Sequence, residues 1–152
     1  MEGGLTTSEL AALISENGPF APGRSLRGEE IIESIGSLLH YNAHPEFVTL
    51  MVSEPATQDY AGVEGFKEAW TDWMYPYEGF RIEFDEAIRM DNQVVFLVRQ
   101  IGTTRHNDVV VENPSAAIFR LEDGQIRQAA FYLDQRAGMK AAGIDPDRPR
   151  GD

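Results

Sequence analysis

The stretch that decides the fold runs from Gln93 to Asp134, QVVFLVRQIGTTRHNDVVVENPSAAIFRLEDGQIRQAAFYLD. Val94 to Ile101 is apolar on both faces of an extended chain, with Val94, Phe96 and Val98 on one side and Val95, Leu97, Arg99 and Ile101 on the other. Gly102 to Asp108 is a polar connection, and Val109 to Leu121 reads as a long strand interrupted near Pro114. Glu122-Asp123-Gly124-Gln125 is a hairpin turn, and Ile126 to Asp134 returns to close a sheet. Strands joined this closely by turn chemistry make an antiparallel sheet.

Working outward toward the N-terminus, Phe80, Ile82 and Phe84 alternate with Arg81, Glu83 and Asp85, predicting a further strand with one wet face, and Asp91-Asn92 forms a turn. Before it, Phe66, Ala69, Trp70, Trp73, Met74 and Tyr77 recur at helical spacing from Gly62 onward, a helix that Pro76 helps to stop. Ser53 to Asp59 reads as a loop and Phe47 to Val52 as a short extended run. Ile31, Ile32, Ile35, Leu38 and Leu39 define a second helix up to His40 or Tyr41. Gly18 to Arg24 is loop by its Pro and Gly content. Thr6-Thr7-Ser8-Glu9 has capping-box spacing and opens a short first helix through Leu10, Leu13 and Ile14, ending at Asn17-Gly18. Beyond the sheet, Gln135 to Gly143 is a short helix capped by Gly143, and 145–152 is a polar tail expected to be disordered. The chain divides into an extension over 1–27, one α+β domain over 28–144, and that tail.

With 152 residues the chain has room for one domain and a core. A net charge of -12, from 13 basic and 25 acidic residues, argues against nucleic acid and anionic membranes, and disfavours steering of anionic substrates. No cysteine is present, which fits a reducing cytoplasm, and no apolar run approaches membrane-spanning length.

Arg99 is the one cation inside an otherwise apolar strand, so a carboxylate partner is expected, with Asp134 first and Glu112 second. If Asp134 points to the concave side, Tyr132, Ala130, Gln128 and Ile126 point with it, and Phe131, Leu133 and Ala129 point away. On that reading Phe131, Leu133, Phe96 and Val98 form an outer apolar face for a second subunit, predicting a homodimer. A single bulge in the Arg99 strand would exchange Arg99 for Gln100 in the pocket. The catalytic expectation is Asp134 as acid or base with Arg99 orienting it. Tyr132, Gln128, Trp70, Trp73, Tyr41 and Leu97 are expected to contact substrate. His40 and His44 have i, i+4 spacing, but Pro45 and the lack of a third ligand leave no metal site, and no phosphate-binding glycine motif supports a nucleotide cofactor.

Four segments together resemble the SnoaL-like branch of the nuclear transport factor 2-like superfamily: Tyr60-Ala-Gly62-Val-Glu-Gly65 before the Trp-containing helix, Val94 to Gly102, Ile118 to Ile126, and Tyr132-Leu-Asp134-Gln-Arg followed by Ala141-Ala-Gly143. The resemblance spans about residues 28–144. It implies a cone-shaped, curved, mainly antiparallel sheet wrapped around N-terminal helices, with a deep pocket and frequent homodimers. Its enzymes include polyketide cyclases, ketosteroid isomerases, dehydratases and limonene-type epoxide hydrolases, all without a tightly bound cofactor in the pocket; other members are not catalytic. The isomerase acids would fall near Thr49 or Leu50 and near Ala117, where this chain has none. The epoxide hydrolase set would fall near Leu97, Arg99 and Asp134, of which Arg99 and Asp134 match. The expectation is therefore a cofactor-free pocket protein for a small apolar or aromatic molecule. Either it performs acid/base chemistry such as cyclisation, isomerisation, dehydration or epoxide hydrolysis, or it is a non-catalytic binding or accessory module.

Overall fold

In the computed structural model the described residues are 4–16, 25–53 and 56–148. They form a curved, unclosed sheet with helices packed into it, an α+β architecture. Helix α1 (Thr7–Ala11) starts on the expected capping box, Thr6 Oγ1 accepting from the Glu9 N–H and Glu9 accepting from the Thr6 N–H, and continues into a π-helical turn, Ala12–Glu16. Strand β1 (Ser25–Arg27) leads into α2 (Gly28–Asn42), then β2 (Ala43–Ser53), β3 (Ala56–Ala61) and α3 (Gly62–Met74). Strands β4 (Tyr77–Arg89), β5 (Gln93–Thr104), β6 (Val110–Glu122) and β7 (Gln125–Tyr132) follow, then α4 (Gln135–Ala141). Helix α3 stops at Met74, so Tyr77 leaves the helical stripe and starts β4.

Strand order is β1-β4-β5-β6-β7-β2-β3, antiparallel throughout except for the parallel pair β2 and β7. Strand β3 corrects the loop expected over Ser53 to Asp59. Its six residues carry no apolar alternation, and it exists as an edge strand through backbone pairing with β2 alone. Pro114 sits opposite Arg99, in the part of β6 beyond the reach of β7, where a missing N–H breaks no ladder. The hairpin at Asp123-Gly124 has positive φ at both residues, as two-residue turns require. The expected helix end at Asn17-Gly18, the loop expected over Gly18 to Arg24, and Pro55 lie outside the described residues.

The inner face of the sheet packs on the helices. Phe47 and Met51 of β2, Val94, Phe96 and Val98 of β5, Ala117 and Phe119 of β6, and Ala129 and Phe131 of β7 meet Ile31, Ile35 and Leu39 of α2 and Phe66, Ala69 and Trp70 of α3. The outer face presents Val95, Leu97, Ala116, Ile118 and Ala130, buried under Met139, Ala142 and Ile144. This reverses the expected facing of β7. Arg120 pairs with Gln128 but Leu121 pairs with Ile126, so Arg127 is an extra residue, and Ala129 and Phe131 come inward while Gln128, Ala130 and Tyr132 go outward. Phe96, Val98 and Phe131, assigned above to a second subunit, are thus core residues, and the outer apolar patch is covered by the chain's own α4. Of the tail, Asp145 to Arg148 form a turn tied down by Arg148–Glu86 and Arg136–Asp147 ion pairs, both 3.0 Å; the rest lies outside the described residues. No helix is long and apolar enough to cross a membrane, among the described residues.

Candidate functional site

Arg99 does not meet Asp134. The register sets Glu83 directly across from Arg99 on the outer face, with Glu112 two pairs along on β6, opposite Ile101, and a bulge after Phe84 turns Asp85 toward it. The guanidinium contacts Glu83 at 3.0 Å, Asp85 at 3.1 Å and Glu112 at 3.5 Å, and stays 35 % exposed. The Asp85 hydrogen bonds come first among the causes that hold this guanidinium's pKa above its ordinary value. Of the two expected partners, Glu112 is confirmed and Asp134 is not. Asp134 is an exposed N-cap whose Oδ2 accepts from the Ala137 N–H at 3.2 Å. Strand alternation does not carry through to Asp134, because β7 ends at Tyr132.

The remaining expected contacts separate as well. Trp70 and Trp73 lie on the helix side of the sheet, while Leu97, Gln128 and Tyr132 lie on the outer side. Tyr41, at the end of α2, is 80 % exposed and packs edge-on to His40. Gln100, not Arg99, faces inward, where its buried side chain accepts a hydrogen bond from Trp73 Nε1 at 2.8 Å.

The interior is an aromatic stack. Trp70 meets Phe131 edge-on with centroids 5.0 Å apart and Phe80 at 6.0 Å, and Phe131 continues through Phe119 at 5.9 Å to Phe96. Among the described residues, two buried side-chain atoms of this interior have no hydrogen-bond partner, Thr49 Oγ1 and Trp70 Nε1. Among the described residues the buried polar side chains are Ser15, Thr49, Gln100 and Ser115, and no carboxylate is among them.

Where the stack reaches the open end of the sheet there is a groove of about 780 Å³, lined by Arg27, Gly28, Glu29, Thr71, Met74, Tyr75, Tyr77, Glu78, Gly79, Phe80, Arg81 and Arg105. Such a volume suits a small organic molecule. Phe80 belongs both to this groove and to the Trp70 contact, and its ring lies 5.6 Å from Tyr77. Local backbone chemistry shapes the walls. A Cβ on Gly28 would sit 2.2 Å from Met74 Sδ, so a larger residue there would displace the flexible Met74 side chain, and Gly79 has φ of +63° beside the bulge between Glu78 and Arg81. Arg105 is tied across α3's end, its Nε donating to the Tyr75 carbonyl at 2.8 Å and its N–H to the Pro76 carbonyl. In the sequence these residues are scattered over β1, the start of α2, α3, β4 and the turn after β5.

His44 is brought close to Glu122 and Asp123 rather than to His40. Its Nδ1 accepts from the Glu46 N–H at 3.0 Å, which puts the proton of the neutral ring on Nε2, facing Glu122. In that tautomer Nε2 presents a proton to Glu122, 3.7 Å away, and no lone pair. Tyr60, at the end of β3, has its phenol pKa raised by burial first, then by Asp72 and Glu68. A raised phenol adds stability that is complete below pH about 10 and is lost as pH rises through the folded value.

A family model described as the SnoaL-like domain matches residues 32–129, more than half of the chain. No curated protein matches the sequence. Among solved structures, a protein assigned as a SnoaL-like polyketide cyclase from Jannaschia sp. CCS1 is 18% identical with a TM-score of 0.54, covering 73% of this chain and 80% of that one. A hypothetical protein with a ketosteroid isomerase-like fold from Catenulispora acidiphila, in complex with trimethylamine, is 14% identical with a TM-score of 0.54 over 92% of both chains. TerC, co-crystallised with polyporic acid, is 19% identical with a TM-score of 0.52, covering 72% of this chain and 83% of that one.

Proposed function

This chain belongs to the SnoaL-like domain family, and from that premise we propose that it is a small-molecule binding protein that holds a largely aromatic ligand in the groove at the open end of its sheet, without turning it over. The observation that carries this reading is the absence of any carboxylate among the buried polar side chains of the described residues. Acid/base chemistry on an apolar ring needs a titratable group beside the reacting atoms, in surroundings that bring its pKa near working pH. Here Asp134 caps a helix in solvent, Arg99 is bound by three outer-face carboxylates, and the groove's own carboxylates, Glu29 and Glu78, are exposed, so none of them sits in apolar surroundings beside a bound ring. What the groove does offer is ring-shaped surface: Tyr75, Tyr77, Phe80 and Met74, backed by Trp70. Aromatic pairs contribute about 0.5–1.5 kcal/mol beyond their area, enough to favour flat ligands. That relatives of the fold have been crystallised with trimethylamine and with polyporic acid agrees with a pocketed scaffold.

The test is a titration of the protein with bicyclic aromatic compounds by intrinsic fluorescence and calorimetry, followed by product analysis after prolonged incubation. Saturable binding with unchanged ligand is expected. Conversion of a bound compound by the wild type, abolished in Asp134→Asn, would overturn the non-catalytic reading and reinstate Asp134 as an acid or base.

A further inference from the structure

We infer that the ligand of this groove is a monocation, an arylalkyl amine protonated at neutral pH, its ring system on the Met74, Tyr77 and Phe80 floor and its ammonium beside Glu29 and the last turn of α3; this rests on the groove being the ligand site. The charged side chains that line the groove are Arg27, Glu29, Glu78, Arg81 and Arg105. All but one are already matched. Arg27 and Arg81 oppose each other in the β1–β4 register and share the outer face of the sheet with Glu83, which lies 3.4 Å from Arg81, while Arg27 lies 3.7 Å from Glu30. Arg105 lies 3.6 Å from Glu78, and its Nε donates to the Tyr75 carbonyl. Glu29 has no ion pair among the described residues, so the groove carries one unmatched negative charge.

The fold turns that charge toward the groove. Glu29 stands seven residues before Gly36 on α2, hence on the same helical face, and at Gly36 that face meets α3, where a Cβ would lie 3.8 Å from Lys67 Cε. Glu29 therefore looks across at the C-terminal part of α3, from which Thr71, Met74 and the following Tyr75 line the same groove. That helix end is itself electronegative: a helix C-terminus carries about half a negative elementary charge, and the last turn of α3 holds no basic residue. Tyr75 follows with its ring 76 % exposed, and an aromatic face attracts a cation placed over it. Carboxylate, helix end and ring thus act in the same sense. At longer range the -12 charge of the chain draws cations in and turns anions away. The single unmatched carboxylate sets the limit, since it balances one ammonium.

The experiment titrates 2-naphthylmethylammonium, its neutral isostere 2-naphthylmethanol and 2-naphthoate by calorimetry into wild type, Glu29→Gln and a groove-filling Thr71→Trp variant, with circular dichroism to verify folding. The ammonium should bind wild type about tenfold tighter than the alcohol, with naphthoate weakest. Glu29→Gln should remove most of that advantage while leaving alcohol affinity unchanged, and added salt should shrink it. Equal affinities for ammonium and alcohol, or a tighter naphthoate, with all binding abolished by Thr71→Trp, would overturn the cation assignment and keep the groove. A preference for the ammonium that survives intact in Glu29→Gln would trace it to the general field of the chain and overturn the site at Glu29. Binding that ignores Thr71→Trp, or no binding of any of the three, would overturn the groove reading itself.

Discussion

Asp134 shows how much a single side chain's meaning depends on what lies one residue beyond it. Read by alternation it is an inward carboxylate; in the fold it follows the end of β7 and caps the start of α4 by accepting the Ala137 N–H. The two roles respond differently to substitution. Asparagine caps a helix about as well as aspartate, whereas alanine costs about 1 kcal/mol. Chemical denaturation should therefore find Asp134→Asn within a few tenths of wild type and Asp134→Ala about 1 kcal/mol less stable. A buried partner of Arg99 would instead lose about 3–5 kcal/mol on either change, and finding that loss would contradict the capping role. Arg99 was legible as a cation needing a carboxylate, and Glu112 was among the partners expected for it. Glu83 and Asp85 were not, because pairing across strands depends on register, and this sheet has bulges after Glu78, after Phe84 and at Arg127 that a strict period of two cannot anticipate. The groove was less legible still, since its wall residues share no local pattern and meet only through the packing of α3 against β4.

At the scale of elements, strong periodicity or strong turn chemistry carried through. Helices α2 and α3, strands β4 to β7, the capping box before α1 and the Asp123-Gly124 hairpin stand where their patterns put them. Strands β1 and β3 were missed because an edge strand needs only a neighbour's backbone, which leaves no mark on side-chain alternation. Helix α4 was visible from its Ala-rich run, but its seat was not. That seat depends on Gly138, where a Cβ would lie 2.7 Å from the Ala116 Cβ and 3.1 Å from the Tyr132 Cβ. By helix propensity alone Gly→Ala is favourable by about 1 kcal/mol. Overpacking a seated interface costs about 1–3 kcal/mol, and the contact here is with rigid strand residues. Gly138→Ala should thus lower the melting temperature, and adding Ala116→Gly should recover most of the loss. A rise in melting temperature for the single variant would mean that α4 is not held this close to β6.

For the molecule as a whole, the sheet has two apolar faces and one layer of inner helices, so something must cover the outer side. A second subunit was one solution; the chain supplies another, laying Met139, Ala142 and Ile144 over Val95, Leu97, Ala116, Ile118 and Ala130. The seal is reinforced by the Arg148–Glu86 pair, which ties the turn after α4 back to β4. Burying Met139 and Ile144 contributes about 3–6 kcal/mol together, a large share of the total of about 5–15 kcal/mol that a domain of this kind possesses. A chain ending at Asp134 would expose a continuous apolar surface across three central strands, and such surfaces associate. In sedimentation velocity the shortened chain should therefore run at a larger mass than the full chain at equal concentration, with increased binding of a hydrophobic dye. Because truncation removes structure as well as cover, the double substitution Met139→Ser with Ile144→Ser, which keeps α4 and its caps, should show the same trend more weakly. If both variants match the full chain in mass and dye binding, α4 is not the cover of this face, and the second-subunit account of the outer surface regains its footing.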